Sequence, residues 1–275
     1  MECKIKDILI NYEIIGEGKS ILFLHGYYSD KTVMTASMEP VFSKKDGYKR
    51  IYLDLPGMGK SESANWINNS DKMLDIIIGF IEKIIPDEKF LIAGISYGGY
   101  LARGVIYKLS DRIDGVALIC PIVIPEYKKR NLPEHMVLVK DEILLSKLTP
   151  EAAEDFNNFL VVQSERIYDR YQNEVMSGVA AANSDFLQII MKDGYGFSFD
   201  VDSVQKFDKP ALILSGRQDD SVGYKDIWNL IENYPHATFS VIDCAGHNLQ
   251  IEQEELFNSL VQQWLLRIEA CGKCN

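Results

Sequence analysis

Short apolar runs alternate with amphipathic stretches along most of the chain. Runs of four or five mainly apolar residues, typical of strands buried on both faces, occur at 21–24, 51–55, 90–93, 116–120, 211–214 and 239–242. Residues 4–15 alternate weakly and predict a pair of N-terminal strands that ends at Gly16-Glu17-Gly18. Apolar residues at helical spacing predict helices over 32–45, 71–85, 101–109 and 255–268. Strands that alternate with helices predict βαβ crossovers, and therefore an α/β fold with a mostly parallel sheet.

Residues 122–206 interrupt this alternation. They contain no convincing strand, and their pattern predicts four helical stretches near 133–147, 150–163, 165–181 and 184–192. Thr149-Pro150-Glu151 is typical of a helix start, because threonine caps the helix and proline is accepted in its first turn. A helical insertion between two strands of a parallel sheet lies over the carboxyl ends of the strands. We therefore predict a core formed by residues 1–121 and 207–275, and a helical cap over 122–206.

The charge balance and the apolar pattern narrow the classes of function. The 275 residues carry 29 basic and 40 acidic side chains, a formal net charge of −11. This charge repels phosphate groups and argues against nucleic acids and anionic membrane surfaces as partners. No apolar stretch approaches the ~18 residues of a membrane-spanning helix. Met1-Glu2-Cys3-Lys4 does not resemble the start of a signal peptide, so we expect a soluble, cytoplasmic protein.

The five cysteines are odd in number and scattered, which suits a reducing compartment. Cys271 and Cys274 have the spacing of metal ligands, but no two further soft ligands lie near them in the sequence. We expect this pair to belong to a frayed tail rather than to a metal site.

The segment Gly94-Ile95-Ser96-Tyr97-Gly98-Gly99 carries the clearest chemistry. It lies between an apolar run and a helix-prone stretch, the context of a nucleophile elbow that exposes a serine hydroxyl at the end of a strand. The tight turn needs neighbours almost without side chains, and its glycines meet that need. The N–H groups at the start of the next helix would face the serine, where negative charge develops during acyl transfer. Ser96 is thus a candidate nucleophile; the alternative is a glycine-rich turn in an ordinary α/β protein.

A serine nucleophile needs a base and a carboxylate that orients the base. Asp219 follows the strand predicted at 211–214, and His247 follows the strand predicted at 239–242, in the order expected after an elbow serine. Asp220 is a rival for the carboxylate. The other histidines fit less well: His25 precedes the serine, His135 lies in the predicted cap and His236 in a surface turn.

An oxyanion hole needs two backbone N–H groups. One is expected from Tyr97, directly after the serine. The other is expected from Tyr27, because Gly26 permits a sharp turn at the end of the early strand.

Five segments together resemble the α/β-hydrolase superfamily in its small, lidded branch. They follow the order of that family and comprise His25-Gly26-Tyr27, Asp54-Leu55-Pro56-Gly57-Met58-Gly59-Lys60-Ser61, Gly94-Ile95-Ser96-Tyr97-Gly98-Gly99, Gly216-Arg217-Gln218-Asp219 and Gly246-His247. The resemblance implies an eight-stranded, mainly parallel sheet flanked by helices, no cofactor and no metal. It also makes segment 54–61 a structural feature near the rim of the site.

Departures from subfamily patterns exclude some activities. The elbow carries no aspartate, which disfavours haloalkane dehalogenase and epoxide hydrolase. The chain also lacks the His-Gly-Gly-Pro-Gly of proline iminopeptidase and the His-Gly-Gly-Gly loop of larger lipases.

The resemblance and the candidate residues predict a serine hydrolase that cleaves a small acyl compound, most directly a carboxylic ester, through an acyl-enzyme on Ser96. Alternatives within the fold are carbon–carbon-bond, thioester and perhydrolase-like enzymes. An alternative of another class is a small-molecule receptor that keeps the same residues. The cap is expected to set the size of the substrate. Candidate pocket-lining residues, each with core packing as its alternative, are Tyr28, Met136, Phe159 and Met176.

Overall fold

Eight strands form one sheet in the computed structural model, which describes residues 1–43, 45–203 and 206–272. The strands are β1 (Glu2–Ile5), β2 (Ile8–Ile15), β3 (Lys19–Leu24), β4 (Tyr48–Leu53), β5 (Phe90–Ile95), β6 (Ile113–Ile119), β7 (Ala211–Gly216) and β8 (Ala237–Ile242). Their spatial order is β1-β2-β4-β3-β5-β6-β7-β8. Among these strands the pairs β1–β2 and β2–β4 are antiparallel and the other five pairs are parallel, so the predicted mainly parallel sheet is confirmed.

Helices flank this sheet. Those outside residues 122–206 are α1 (Lys31–Phe42), α2 (Ser70–Ile84), α3 (Tyr97–Leu109), α9 (Tyr224–Trp228), α10 (Leu249–Glu252) and α11 (Glu254–Gly272). Every residue of β5 and β7 is buried, which explains why their sequences are continuously apolar rather than alternating. None of the helices in the described residues is long and apolar enough to cross a bilayer.

Residues 122–206, which we call the cap segment, contribute no strand to the sheet in their described part. Their helices are α4 (Glu142–Leu145), α5 (Pro150–Phe159), α6 (Glu165–Tyr171), α7 (Ser177–Ala181) and α8 (Ser184–Asp193), with a π-helical turn over Gln172–Met176. Apolar side chains of the cap segment form a small buried cluster, separate from the main core, to which Ile251 of α10 also belongs. The division into a core and a cap stays a prediction.

The predicted helix over 133–147 is wrong except for the single turn at Glu142–Leu145. Leu138 lies in a bend and Val139 forms an isolated parallel bridge with Val162, in a distant part of the cap segment. The Leu138 N–H donates to the carbonyl of Val161 at 2.8 Å, and the Gln163 N–H donates to the carbonyl of Val139 at 2.8 Å. Pairing over more than twenty residues therefore overrides the local helical pattern.

The cysteines in the described residues are free thiols at Cys3, Cys120, Cys244 and Cys271. Cys271 is exposed near the end of α11, and Cys274 lies outside the described residues.

Candidate active site

Ser96 occupies a strained turn between β5 and α3. Its φ is +55° and its ψ −118°, a conformation that non-glycine residues rarely adopt and that often marks a functional site. The Ser96 N–H donates to the carbonyl of Ile119 at 2.9 Å, which holds the turn on β6. A Cβ on Gly98 would lie 2.2 Å from the Leu24 carbonyl oxygen, so only glycine fits there. This is the geometry expected of an elbow.

Asp219 and His247 are brought together at the ends of β7 and β8. Asp219 is fully buried, and its Oδ2 lies 2.9 Å from His247 Nδ1. Its Oδ1 accepts the N–H groups of Ser221 at 2.9 Å and Val222 at 3.0 Å, which fixes the carboxylate. Because a carboxylate accepts, His247 Nδ1 carries the proton and Nε2 is left as an acceptor.

Burial and pairing act in opposite directions on these two groups. Burial would raise the pKa of Asp219, but the charge of His247 and the hydrogen bonds it receives lower it below its usual range. Burial would lower the pKa of His247, but the charge and hydrogen bond of Asp219 raise it above its usual value. The pair therefore stabilises an imidazolium, as a general base in acyl transfer requires.

Asp220, the alternative carboxylate, contacts His135 and not His247. Its Oδ2 lies 2.9 Å from Nδ1 of His135 in the cap segment, whose Nε2 lies 2.6 Å from the carbonyl of Asn157. The geometry supports Asp219 as the partner of His247.

His25 has a structural role that its place in the sequence does not indicate. It is buried, and its Nε2 accepts the Leu55 N–H at 2.9 Å, so Nδ1 carries the proton and donates to the Gly26 carbonyl at 2.8 Å. Burial lowers the pKa of His25, which keeps the ring neutral. Next to it, buried Asp54 accepts the Lys31 N–H at 2.9 Å and the Lys60 N–H at 3.0 Å. His25 thus fastens the loop at 54–61 to the turn at Gly26. His236 is exposed, in line with a surface turn.

The turn at Gly26 lies against the serine. A Cβ on Gly26 would lie 3.3 Å from Ser96 Cβ. The backbone N–H groups of Tyr27 and Tyr97 have no acceptor among the described residues. The hydroxyl of Tyr27 donates to the Leu187 carbonyl at 2.7 Å, and its ring packs edge-on against Tyr97, so both side chains are anchored. The two N–H groups remain predicted oxyanion donors.

The four candidate pocket residues lie in different surroundings. Tyr28 is next to the Gly26 turn, half-buried, with its hydroxyl 3.4 Å from Ser184 Oγ in the cap segment. Met136 and Phe159 have exposed side chains. Met176 packs against the apolar cluster of the cap segment. A role in substrate binding stays a prediction for all four.

Cys120 was not predicted to lie in the site. It directly follows β6 with φ +41°, and its sulfur, one Asp219 oxygen and one His247 nitrogen all lie within 4.8 Å of one another. Burial and the charge of Asp219 raise the pKa of the thiol, which stays protonated beneath the pair. In the described residues this is the one His, Cys, Asp or Glu group compact enough to share a metal ion. The Asp219 oxygens already accept hydrogen bonds from Ser221, Val222 and His247.

Comparison with known proteins identifies the family. Residues 19–254 match the family model described as the alpha/beta hydrolase fold. The chain belongs to this family. The predicted fold and the predicted enzyme type, an α/β-hydrolase, are thereby confirmed.

Several curated relatives match most of this α/β-hydrolase. The chain is 26% identical over 257 residues to (E)-2-((N-methylformamido)methylene)succinate hydrolase of Acinetobacter baylyi, covering 91% of each. It is 24% identical over 275 residues to 2-hydroxy-6-oxononadienedioate/2-hydroxy-6-oxononatrienedioate hydrolase of Burkholderia vietnamiensis, covering 95% of this chain and 92% of that protein. It is 24% identical over 253 residues to the dihydrolipoyllysine-residue acetyltransferase component of the acetoin cleaving system of Cupriavidus necator, covering 91% of this chain and 64% of the length of that relative.

Solved structures share the fold. An alpha/beta superfamily hydrolase from Oenococcus oeni is 32% identical with a TM-score of 0.87, covering 94% of this chain and 96% of that one. A thermophilic esterase from Thermogutta terrifontis is 22% identical with a TM-score of 0.66, covering 95% and 94%, a similarity that bears on the fold alone.

Proposed function

We propose that this α/β-hydrolase cleaves a small acyl compound, most directly a carboxylic ester, through an acyl-enzyme on Ser96. The observation that carries the proposal is the 2.9 Å contact between Asp219 Oδ2 and His247 Nδ1. That contact leaves His247 Nε2 as an acceptor at the sheet edge from which the elbow serine emerges. No cofactor or metal is invoked for this reaction.

In the proposed reaction, Ser96 Oγ attacks the carbonyl carbon while His247 Nε2 takes the serine proton. The negative oxygen of the tetrahedral intermediate accepts the N–H groups of Tyr27 and Tyr97. His247 then returns the proton to the leaving alkoxide, and an acyl-Ser96 ester remains. Water, deprotonated by His247, attacks this ester, and the acid and free Ser96 are released.

The cap segment supports a small substrate. It contacts the residues that follow Gly26: the Tyr27 hydroxyl donates to the Leu187 carbonyl, and a Cβ on Gly178 would lie 2.7 Å from the Asp30 nitrogen. Because the cap segment packs this closely on residues 27–30, it leaves limited room for the acyl chain of a substrate. We expect the protein to act on a dissolved small molecule in the cytoplasm, without nucleic acid or membrane.

A carbon–carbon-bond hydrolase is a second candidate. It is favoured by the relative named as a 2-hydroxy-6-oxononadienedioate hydrolase, which matches 275 residues. A thioester hydrolase would use the same residues.

The decisive experiment is covalent labelling with a fluorophosphonate probe. We expect the native protein to be labelled on the peptide that contains Ser96 and to hydrolyse p-nitrophenyl acetate. Ser96→Ala should lose both, whereas Ser259→Ala, an exposed serine in α11, should lose neither. Labelling that persists in Ser96→Ala would refute the assignment. Hydrolysis of a vinylogous 1,5-diketone acid without ester turnover would favour the second candidate.

A further inference from the structure

One buried carboxylate holds the loop of His247 and the cap segment at the same time. Glu252 ends α10, five residues after His247, and is only 5% exposed. Its Oε2 accepts the N–H of Gly246 at 2.6 Å. Its Oε1 accepts the N–H groups of Val161 at 2.6 Å and Val162 at 3.2 Å. Each oxygen therefore serves a different part of the chain.

The two parts also touch directly. A Cβ on Gly246 would lie 2.9 Å from Val161 Cγ2, so any side chain at this position would crowd the cap segment. On the core side, the Ala245 N–H donates to Gln218 Oε1 at 3.2 Å and Gln253 Nε2 donates to the Cys244 carbonyl at 2.8 Å. Glu252, which also belongs to the core, adds the contact that joins this loop to the cap segment.

Burial and hydrogen bonding have opposite effects on the pKa of Glu252. Burial raises the pKa of Glu252 to about 7, although its three N–H donors oppose this. The charge of Asp219 also raises the pKa of Glu252. The charge of Glu252 in turn raises the pKa of the thiols of Cys120 and Cys244. Arg170 of α6 donates to the Gln250 carbonyl at 3.4 Å, but its guanidinium forms ion pairs with Glu174 and Glu254 rather than with Glu252. Burying such a group is costly, so its three short contacts have to offset the cost.

We propose that Glu252 is the positioning residue of His247, and that it makes the placement of the base depend on the docking of residues 160–163 of the cap segment. The proposal rests on the proposed function of His247 as the base. Gly246 precedes His247 directly, so the peptide that Glu252 holds sets the direction from which the imidazole extends towards Ser96. A displacement of the order of 1 Å in a reacting group costs about a hundredfold in rate.

The chemistry of the carboxylate makes the proposal testable. Glu252→Gln keeps the size but replaces one acceptor oxygen with an NH₂ donor. That NH₂ must face either the Gly246 N–H or the N–H groups of Val161 and Val162, and two donors cannot bond. Glu252→Asp keeps both oxygens but is one methylene shorter and cannot reach both segments.

The matched control is Glu254→Gln. Glu254 lies two residues further on and pairs with Arg166 and Arg170 of the cap segment, at 3.1 Å for Arg170, without touching the loop of His247. This variant therefore removes a contact of α6 and leaves in place both the Gly246 contact and the docking of Val161 and Val162 on Glu252.

Three readouts are compared in the native protein and the variants: kcat and KM for p-nitrophenyl acetate, the low-field NMR signal of the His247 Nδ1 proton, and hydrogen exchange at Gly246. We expect Glu252→Gln to lower kcat by about tenfold to a hundredfold with KM nearly unchanged. We also expect it to shift or broaden the Nδ1 signal and to speed exchange at Gly246. Glu254→Gln should leave all three close to native. If Glu252→Gln does not fold, Glu252→Asp carries the same expectations.

An unchanged Nδ1 signal with native kcat in the folded variant would overturn the proposal, as would equal losses in Glu254→Gln. Failure of the proposed function is distinguishable from this outcome. In that case the native protein turns over no substrate and takes no label, while the Nδ1 signal and Gly246 exchange still report whether Glu252 positions His247.

Discussion

Asp219 and Asp220 are neighbours in the chain, but their carboxylates bind different histidines. Asp219 is buried and bonds to His247 at the end of β8, whereas Asp220 is about one-third exposed and bonds to His135 of the cap segment. Both oxygen-to-nitrogen distances are 2.9 Å. The difference arises because Asp219 is turned inwards by the N–H groups of Ser221 and Val222.

This arrangement predicts opposite results for two equivalent substitutions. Asp219→Asn should lower kcat by something like 10⁴-fold, because an amide leaves the imidazole in the wrong tautomer. Asp220→Asn, the control, should change kcat only a few-fold. Both are measured as steady-state hydrolysis of p-nitrophenyl acetate at equal folded concentration. A large loss in Asp220→Asn with native rates in Asp219→Asn would reverse the assignment.

The pH dependence of activity follows from the same pair. Asp219 raises the pKa of His247 above its usual value of 6.5, and a general base works only when unprotonated. Therefore kcat/KM should be full at high pH and fall as the pH drops through this raised pKa. Removing the negative charge in Asp219→Asn should move the midpoint of the His247 ring to lower pH. NMR titration of the ring in both proteins checks this, and a native midpoint below 6.5 would contradict it.

The features that could be predicted from the sequence depend on neighbours along the chain. The buried strands follow from continuous apolar runs, and the elbow follows from Gly94 and Gly98 on either side of Ser96. Asp219 and His247 could be proposed because each lies a few residues after a strand. Parallel strands bring their carboxyl ends to one edge of the sheet, so the order of the strands was enough to suggest a shared site.

The features that were missed depend on distant partners. Residues 138–139 are not helical because they hydrogen-bond to 161–163, which no local pattern indicates. Glu252 looks like an ordinary helix residue, yet its oxygens bind N–H groups 6 and 91 residues away. Cys120 appeared only as one of five cysteines, because nothing near it in the sequence indicates that β6 ends beside Asp219.

The elbow glycine makes a stability prediction. A Cβ on Gly98 would lie 2.2 Å from the Leu24 carbonyl oxygen, and backbone cannot yield as a flexible side chain does. We expect Gly98→Ala to lower the free energy of unfolding by about 1–3 kcal/mol or more through overpacking. Gly79→Ala in α2 is the control, since its Cβ would lie 3.1 Å from Ile5 Cγ2 and alanine favours the helix. Urea unfolding measures both, and equal stabilities would refute the clash.

The cap segment predicts a preference for short acyl chains. The hydrogen bond of Tyr27 to Leu187 and the close approach of Gly178 to Asp30 pack the cap segment on residues 27–30. We expect p-nitrophenyl acetate and butyrate to give higher kcat/KM than the palmitate ester. Each extra methylene that does not fit loses its favourable burial of about 0.8 kcal/mol. Efficient cleavage of an emulsified long-chain triglyceride would instead indicate a lipase.

A catalyst and a receptor built on these residues predict different behaviour with substrate in excess. A catalyst turns over repeatedly, commonly at about 1–10³ per second on a good substrate. A receptor that keeps Ser96, Asp219 and His247 would cleave once or a few times and respond by changing the protection of the cap segment. The Asp219–His247 contact fits either case, because in the proposed reaction it activates the serine but does not set the rate at which the acyl group leaves.

Release of the acyl group is therefore the step to measure. We expect sustained ester hydrolysis, with a burst of p-nitrophenol no larger than one equivalent followed by a steady rate that Ser96→Ala abolishes. Hydrogen exchange over residues 122–203 is followed in parallel with the best substrate. A library in which every ester stops after a few turnovers, while one compound tightly protects the cap segment, would overturn the enzyme assignment for this chain. Steady turnover with little change in protection would support it.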